Sequence, residues 1–169
     1  MPRPEPRLKV PCRFRRRFRS RRAKRLVRRL YFSNHQYQFP FDRRTGKVSA
    51  RKFTVAHDCG PLINPDGLRR CIEGNVVQST SRALSEKGAF DRARVTSTDW
   101  LCYPILDITE APENVDIVLL NRPELPPAGA GESSIRPVAA ALANAVFDAT
   151  GVRLRRAPLT LQRLKPALV

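Results

Sequence analysis

The chain has 169 residues, 41% of them hydrophobic, and a net charge of +17. That length suits one ordinary domain able to bury a core, and no apolar run reaches the roughly 20 residues that a membrane-spanning helix needs. Four cysteines, Cys12, Cys59, Cys71 and Cys102, stand apart with no C-x-x-C pair. Spacing therefore supports no zinc site, and nothing requires an oxidising compartment. The charge is uneven. Residues 1–30 hold 14 of the 32 Lys and Arg and one of the 15 acids, Glu5, which leaves +13 there and +4 on the remainder.

Residues 1–35 read as an arginine-rich arm, broken by Phe14 and Phe18. Such dense charge repels itself and cannot make a core, so disorder is expected. The arm could bind phosphate backbones with its phenylalanines stacked on bases, act as a transit-type leader, or be a non-native extension. Arg16-Arg17-Phe18 resembles a twin-arginine signal, but no apolar segment follows. Residues 36–169 form the body. Residues 36–41 alternate polar and aromatic, Asp42-Arg43-Arg44-Thr45-Gly46 supplies a turn, and residues 47–56 alternate again with a phase slip near Arg51, so two strands are expected. His57-Asp58-Cys59-Gly60 closes the second. Neighbours on a strand face opposite ways, so a packed strand end is a better reading than a nucleophile and its base.

Asn64-Pro65 opens a helix, with Asn as the cap and Pro in the first turn. Leu68, Ile72, Val76, Ala83 and Leu84 share its apolar face, and Lys87-Gly88 ends it near residue 86. Gly74 inside it suggests a close approach. Residues 90–100 read as strand, tight turn and strand; Tyr103-Pro104 begins an irregular passage; residues 115–120 read as a buried strand. Pro123, Pro126 and Pro127 forbid regular structure beyond it. Ile135, Val138, Ala139, Leu142, Val146 and Ala149 mark a helix that starts near Ser133 or Ser134 and ends at Gly151. Thr160 caps a short terminal helix. The expected fold class is α+β, with antiparallel strands packed against two long helices.

Ahead of that last long helix stands Ala128-Gly129-Ala130-Gly131-Glu132-Ser133-Ser134. Glycines admit close approach, and a carboxylate there can act as a base if burial raises its proton affinity. By itself this is a helix start. Its company is Val55-Ala56-His57-Asp58-Cys59-Gly60, Ile63-Asn64-Pro65, Ile72-Glu73-Gly74, Gln78, Tyr103-Pro104, Ala143-Asn144-Ala145 and Ala149-Thr150-Gly151. In that order these motifs resemble the C-terminal part of the molybdenum-binding subunit of the xanthine dehydrogenase and aldehyde oxidase family, most of all its isoquinoline 1-oxidoreductase branch.

The resemblance covers residues 41–168 and implies a partial molybdenum-cofactor-binding domain. It implies hydroxylation of an N-heterocycle or aldehyde with oxygen from water, and Glu132 as general base. It further implies a molybdopterin cofactor, with the cytosine dinucleotide as one form, beside Ala130, Gly131, Ser133 and Cys71, and with the helix from Pro65 as the wall behind. No protein ligand to the metal is assigned. The partners implied are the remaining part of the subunit and an iron–sulfur (2Fe-2S) subunit. A cytoplasmic location is expected, or a periplasmic one by family analogy, with no membrane association. Three departures stand out: Cys71 replaces the family's usual glutamine, Ser79-Thr80 replaces Gly-Leu, and family subunits are several-fold longer. A truncated piece that carries the base but is inactive alone is therefore expected. Nucleic-acid binding through residues 1–30 and a degenerate fragment without activity are the alternatives.

Overall fold

The chain divides into two units, Met1–Leu30 and Tyr31–Val169. The computed structural model describes residues 48–164, all in the second unit, without the side chain of Leu161. The arginine arm, the expected strand at 36–41 and the tail of the terminal helix lie outside the described residues. The elements are β1 (Lys52–Asp58), α1 (Pro65–Leu84), a 3₁₀ turn (Ile108–Glu110), β2 (Asn114–Leu120), a second 3₁₀ turn (Ser133–Ile135), α2 (Arg136–Thr150) and α3 (Leu161–Leu164).

The phase slip near Arg51 is real. Ala50 is buried, Arg51 is exposed, and the inward row resumes at Phe53, Val55 and His57. α1 starts where its cap sits: Asn64 Oδ1 accepts the Gly67 N–H at 2.9 Å, and Pro65 occupies the first turn. Its apolar stripe is as expected, with Ile72, Val76 and Ala83 buried and Leu68 and Leu84 packed at the edge. The helix ends at Leu84 rather than near residue 86, capped by the Ser85 N–H on Ser81 O. Gly74 faces open space, since a Cβ there would meet nothing within 4 Å. The close approach it suggested is not found among the described residues.

The sheet corrects the sequence reading. β1 and β2 pair parallel, with Phe53 opposite Val115, Val55 opposite Ile117 and His57 opposite Leu119. The physical reason is the connection. Residues 59–113 carry α1 and a long irregular passage, a crossover that returns the chain to enter the sheet in the same direction, where a hairpin would have reversed it. β2 is also less buried than expected. Val115, Ile117 and Leu119 pack on the core, while Val118 and Leu120 face outward. The expected strand pair at 90–100 reduces to one antiparallel bridge, Phe90 to Val95, around a turn in which Asp91 Oδ1 accepts the N–H groups of Ala93 and Arg94.

α2 begins at Arg136, one 3₁₀ turn later than expected, and ends in the left-handed Gly151, whose N–H reaches Phe147 O at 2.7 Å. Its buried face is Val138, Ala141, Leu142, Ala145 and Val146, so Ala139 and Ala149 fall outside it. The later passage is tied back to α1 by Leu106 N on Ser81 Oγ (2.9 Å) and to the segment just beyond that helix by Tyr103 Oη on Glu86 Oε2 (2.8 Å). One core joins β1, α1, α2 and the chain end through Phe53, Ile72, Leu142 and Leu164, all fully buried. Outside it, Ile63, Phe90, Trp100, Leu101 and Ile108 are exposed. Among the described residues no helix is long and apolar enough to cross a membrane.

Candidate functional site

The Gly-rich stretch is held at both ends. At the first end, the turn after β1 grips the approach to it. Cys59 O accepts the Ala128 N–H and Gly60 O accepts the Arg122 N–H, both at 3.0 Å. Asp58 accepts the Gly60 N–H at 3.1 Å and faces the Arg122 guanidinium at 3.7 Å. Gly60 is required here. Its φ is +87°, and a Cβ would stand 2.9 Å from Pro126 O, a backbone atom with little room to yield. Gly60→Ala is expected to cost about 2 kcal/mol from left-handed strain and the clash, read as a lower denaturant midpoint.

The second end is held by α1. Cys71, Asn75 and Ser79 are spaced four apart, so they stack on one helix face. The Cys71 thiol donates to Gly131 O at 3.2 Å and lies 3.6 Å from Ala130 O. Asn75 Nδ2 donates to Gly131 O at 2.7 Å and to Ser134 Oγ at 2.8 Å. Ser79 Oγ donates to Ile135 O at 2.9 Å. α1 therefore backs the loop, and two of its three polar contacts, Asn75 and Ser79, were not anticipated from the sequence. The signal was available: a polar row at four-residue spacing runs beside the apolar row of Leu68, Ile72 and Val76.

Between the two anchors the loop is open. Gly129 has φ +71°, and a Cβ at Gly129 or Gly131 would meet nothing within 4 Å. Glu132 begins the 3₁₀ turn without a side-chain capping bond, and it is exposed. The burial expected for Glu132 is thus not provided by the described residues. The Ser133 hydroxyl oxygen is buried with no hydrogen-bond partner among them. Ala130, Gly131, Glu132 and Ser133 stand together on this loop, and Cys71 stands behind it with its thiol on the loop carbonyls. The described cleft lined by Ala50, Leu84, Leu106 and Leu159 contains none of these residues.

The His57-Asp58-Cys59 run forms no nucleophile pair. His57 is buried under the sheet, Asp58 is engaged with Gly60 and Arg122, and burial together with the Asp58 charge pushes the Cys59 thiol up, away from thiolate. Burial also lowers the His57 pKa from 6.5, against an opposing pull from Asp58. The folded chain then resists a proton that the unfolded chain accepts. Stability present above pH 6.5 is lost as pH falls below it. The melting temperature of the wild type, compared with that of His57→Gln from pH 8 to pH 5, is expected to show the excess slope in the wild type alone.

A family model described as a molybdopterin cofactor-binding domain matches residues 25–112, more than half of the chain. The chain belongs to this family. Within the xanthine dehydrogenase and aldehyde oxidase group, it is 49% identical over 127 residues to a nicotinate dehydrogenase subunit of Pseudomonas putida, covering 75% of this chain and 11% of that protein. It is 27% identical over 128 residues to the beta subunit of isoquinoline 1-oxidoreductase from Brevundimonas diminuta, covering 76% of this chain and 16% of that one. The crystal structure of quinoline 2-oxidoreductase from Pseudomonas putida 86 superposes with a TM-score of 0.71 at 25% identity, over 79% of this chain and 18% of that chain. The chain thus spans less than a fifth of the length of these relatives. In this molybdopterin-domain family member, the open space at Gly129 and Gly131 and the buried, unpartnered Ser133 hydroxyl fit the close approach of a large polar cofactor.

Proposed function

We propose that this chain contributes the catalytic-base loop to a molybdenum hydroxylase that oxidises an N-heterocycle or an aldehyde with oxygen taken from water. The single observation that carries the reading is the doubly anchored loop, which presents Glu132 outward between open glycines and beside the Ser133 hydroxyl. The molybdenum–pterin group, of which the cytosine dinucleotide is one form, would supply the two-electron chemistry when bound. Ala130, Gly131 and Ser133 would hold its near side, the glycine by admitting it and the serine by giving its hydroxyl a partner. Glu132 would take up the proton released as water oxygen is transferred to the substrate. Covering the loop with further protein would desolvate that carboxylate and raise its proton affinity toward working pH.

The cover and the rest of the cofactor cradle would come from the longer subunit that the relatives possess, and electrons would leave through an iron–sulfur partner. The exposed Trp100, Leu101 and Ile108 support association with such segments. On this reading the chain is inactive alone. The test is co-expression with the remaining subunit segments and the iron–sulfur chain in a molybdenum-competent host, followed by turnover of nicotinate or quinoline in ¹⁸O-labelled water. Label in the hydroxylated product supports the reading. An assembled complex that does not turn over, or whose product takes its oxygen from O₂, overturns it.

A further inference from the structure

We propose that Asn75 is a positioning residue for Glu132. This rests on the reading of Glu132 as the base, but its physical content lies within the chain. The Asn75 amide donates to two oxygens, Gly131 O at 2.7 Å and Ser134 Oγ at 2.8 Å, and also lies 3.8 Å from the Cys71 sulfur. Those two oxygens bracket Glu132 on its two sides. Asn75 is nearly closed off from water, at 8% exposure for the whole residue, so its hydrogen bonds meet little competition from solvent.

The consequence follows from the planarity of the peptide. In a trans peptide the carbonyl and the next N–H point in opposite directions. With Gly131 O drawn to α1 by Asn75 and Cys71, the Glu132 N–H is turned away from the helix. Ala130 O also lies toward the Cys71 thiol, so the Gly131 N–H is turned the same way. The backbone of Gly131 could adopt many other conformations, since glycine is unrestrained and nothing crowds it. Asn75 selects one of them. The Cys71 thiol is a weaker donor, and Ser79 acts only beyond Ser134, at Ile135. Asn75 is therefore the strongest tie on the residue immediately before the carboxylate.

Asn75→Asp tests this with the shape of the side chain kept. It replaces the donating nitrogen by an acceptor facing Gly131 O, so the tie becomes a repulsion. The full chain is digested with a Glu-specific protease, and cleavage after Glu132 is compared with cleavage after Glu124. Glu124 is also exposed and lies on the same loop, but its side chain is paired with Arg122 and not with Asn75. Local opening makes cleavage follow the open population. The bond to Gly131 O is lost and becomes a repulsion, while the Ser134 hydroxyl can turn to donate to the new carboxylate, so the Glu132-to-Glu124 ratio is expected to rise about tenfold. Ser134→Ala, which removes one acceptor and keeps the Gly131 tie, is expected to raise it by less. An unchanged ratio, or equal acceleration at both sites, overturns the proposal, because either outcome means that Asn75 acts only on global stability. In the assembled enzyme Asn75→Asp is expected to lower kcat with KM and molybdenum content unchanged. If Glu132→Gln proves harmless there while the cleavage ratio still rises, the base assignment fails and the positioning stands.

Discussion

Glu132→Gln is expected to reduce turnover of the assembled hydroxylase by about 10²–10⁴-fold, the usual contribution of a positioned general base, with the molybdenum content unchanged. Glutamine keeps the size of the side chain and removes its ability to take a proton. The substitution is structurally mild because Glu132 is exposed and caps nothing with its side chain, so stability is expected to move by no more than about 0.5 kcal/mol. That separation makes the experiment informative. A chemical role predicts lost kcat with retained metal and an unchanged melting temperature. Retained kcat would remove Glu132 from the mechanism whatever the cofactor content.

Phe53→Ala is expected to cost about 3–5 kcal/mol, the range for deleting a buried aromatic ring. The ring is fully buried at the start of the inward row of β1 and belongs to the cluster that also holds Ile72 on α1 and Leu142 on α2. A domain of this size has roughly 5–15 kcal/mol in total, so much of its stability would go. The loop would suffer with it, since Cys59 and Gly60 hold the approach to Glu132 from the far end of the same strand. Chemical denaturation checks this. A loss under about 1 kcal/mol would mean that the cavity closes and that this core is looser than a close-packed one.

Much of the scaffold was legible because its signals are local. Asn64 as cap, Pro65 in the first turn and the four-residue spacing of Leu68, Ile72 and Val76 defined α1 from the sequence, and Gly151 marked the end of α2. The direction of β2 was not legible. Parallel or antiparallel pairing depends on where residues 59–113 deliver the chain, and no residue within 115–120 encodes that. The burial of β2 was overestimated for a related reason: an unbroken apolar run reads as covered on both faces, yet Val118 and Leu120 face outward among the described residues.

The candidate site shows the same division. Gly129 to Ser133 stood out by composition and by family resemblance, and the structure brings them onto one loop. What holds that loop showed in the sequence only as a polar row on α1, because the partners of Asn75 and Ser79 lie some 56 residues away and are mainly backbone carbonyls. Cys71, noted as a departure from the family's glutamine, joins them as a donor to the same loop. The burial expected of Glu132 is not met among the described residues, where it is exposed. A carboxylate between glycines is buried only by whatever packs on it, and the chain spans less than a fifth of the related proteins.

The most direct test of the account is the molybdenum and pterin content of the chain purified from a molybdenum-competent host, in complex with the remaining subunit segments and the iron–sulfur chain. The account predicts one molybdenum and one pterin per complex, with the same content in Glu132→Gln. A correctly assembled complex that contains neither would contradict it, and would leave the loop of Gly129 to Ser133 as a structural turn.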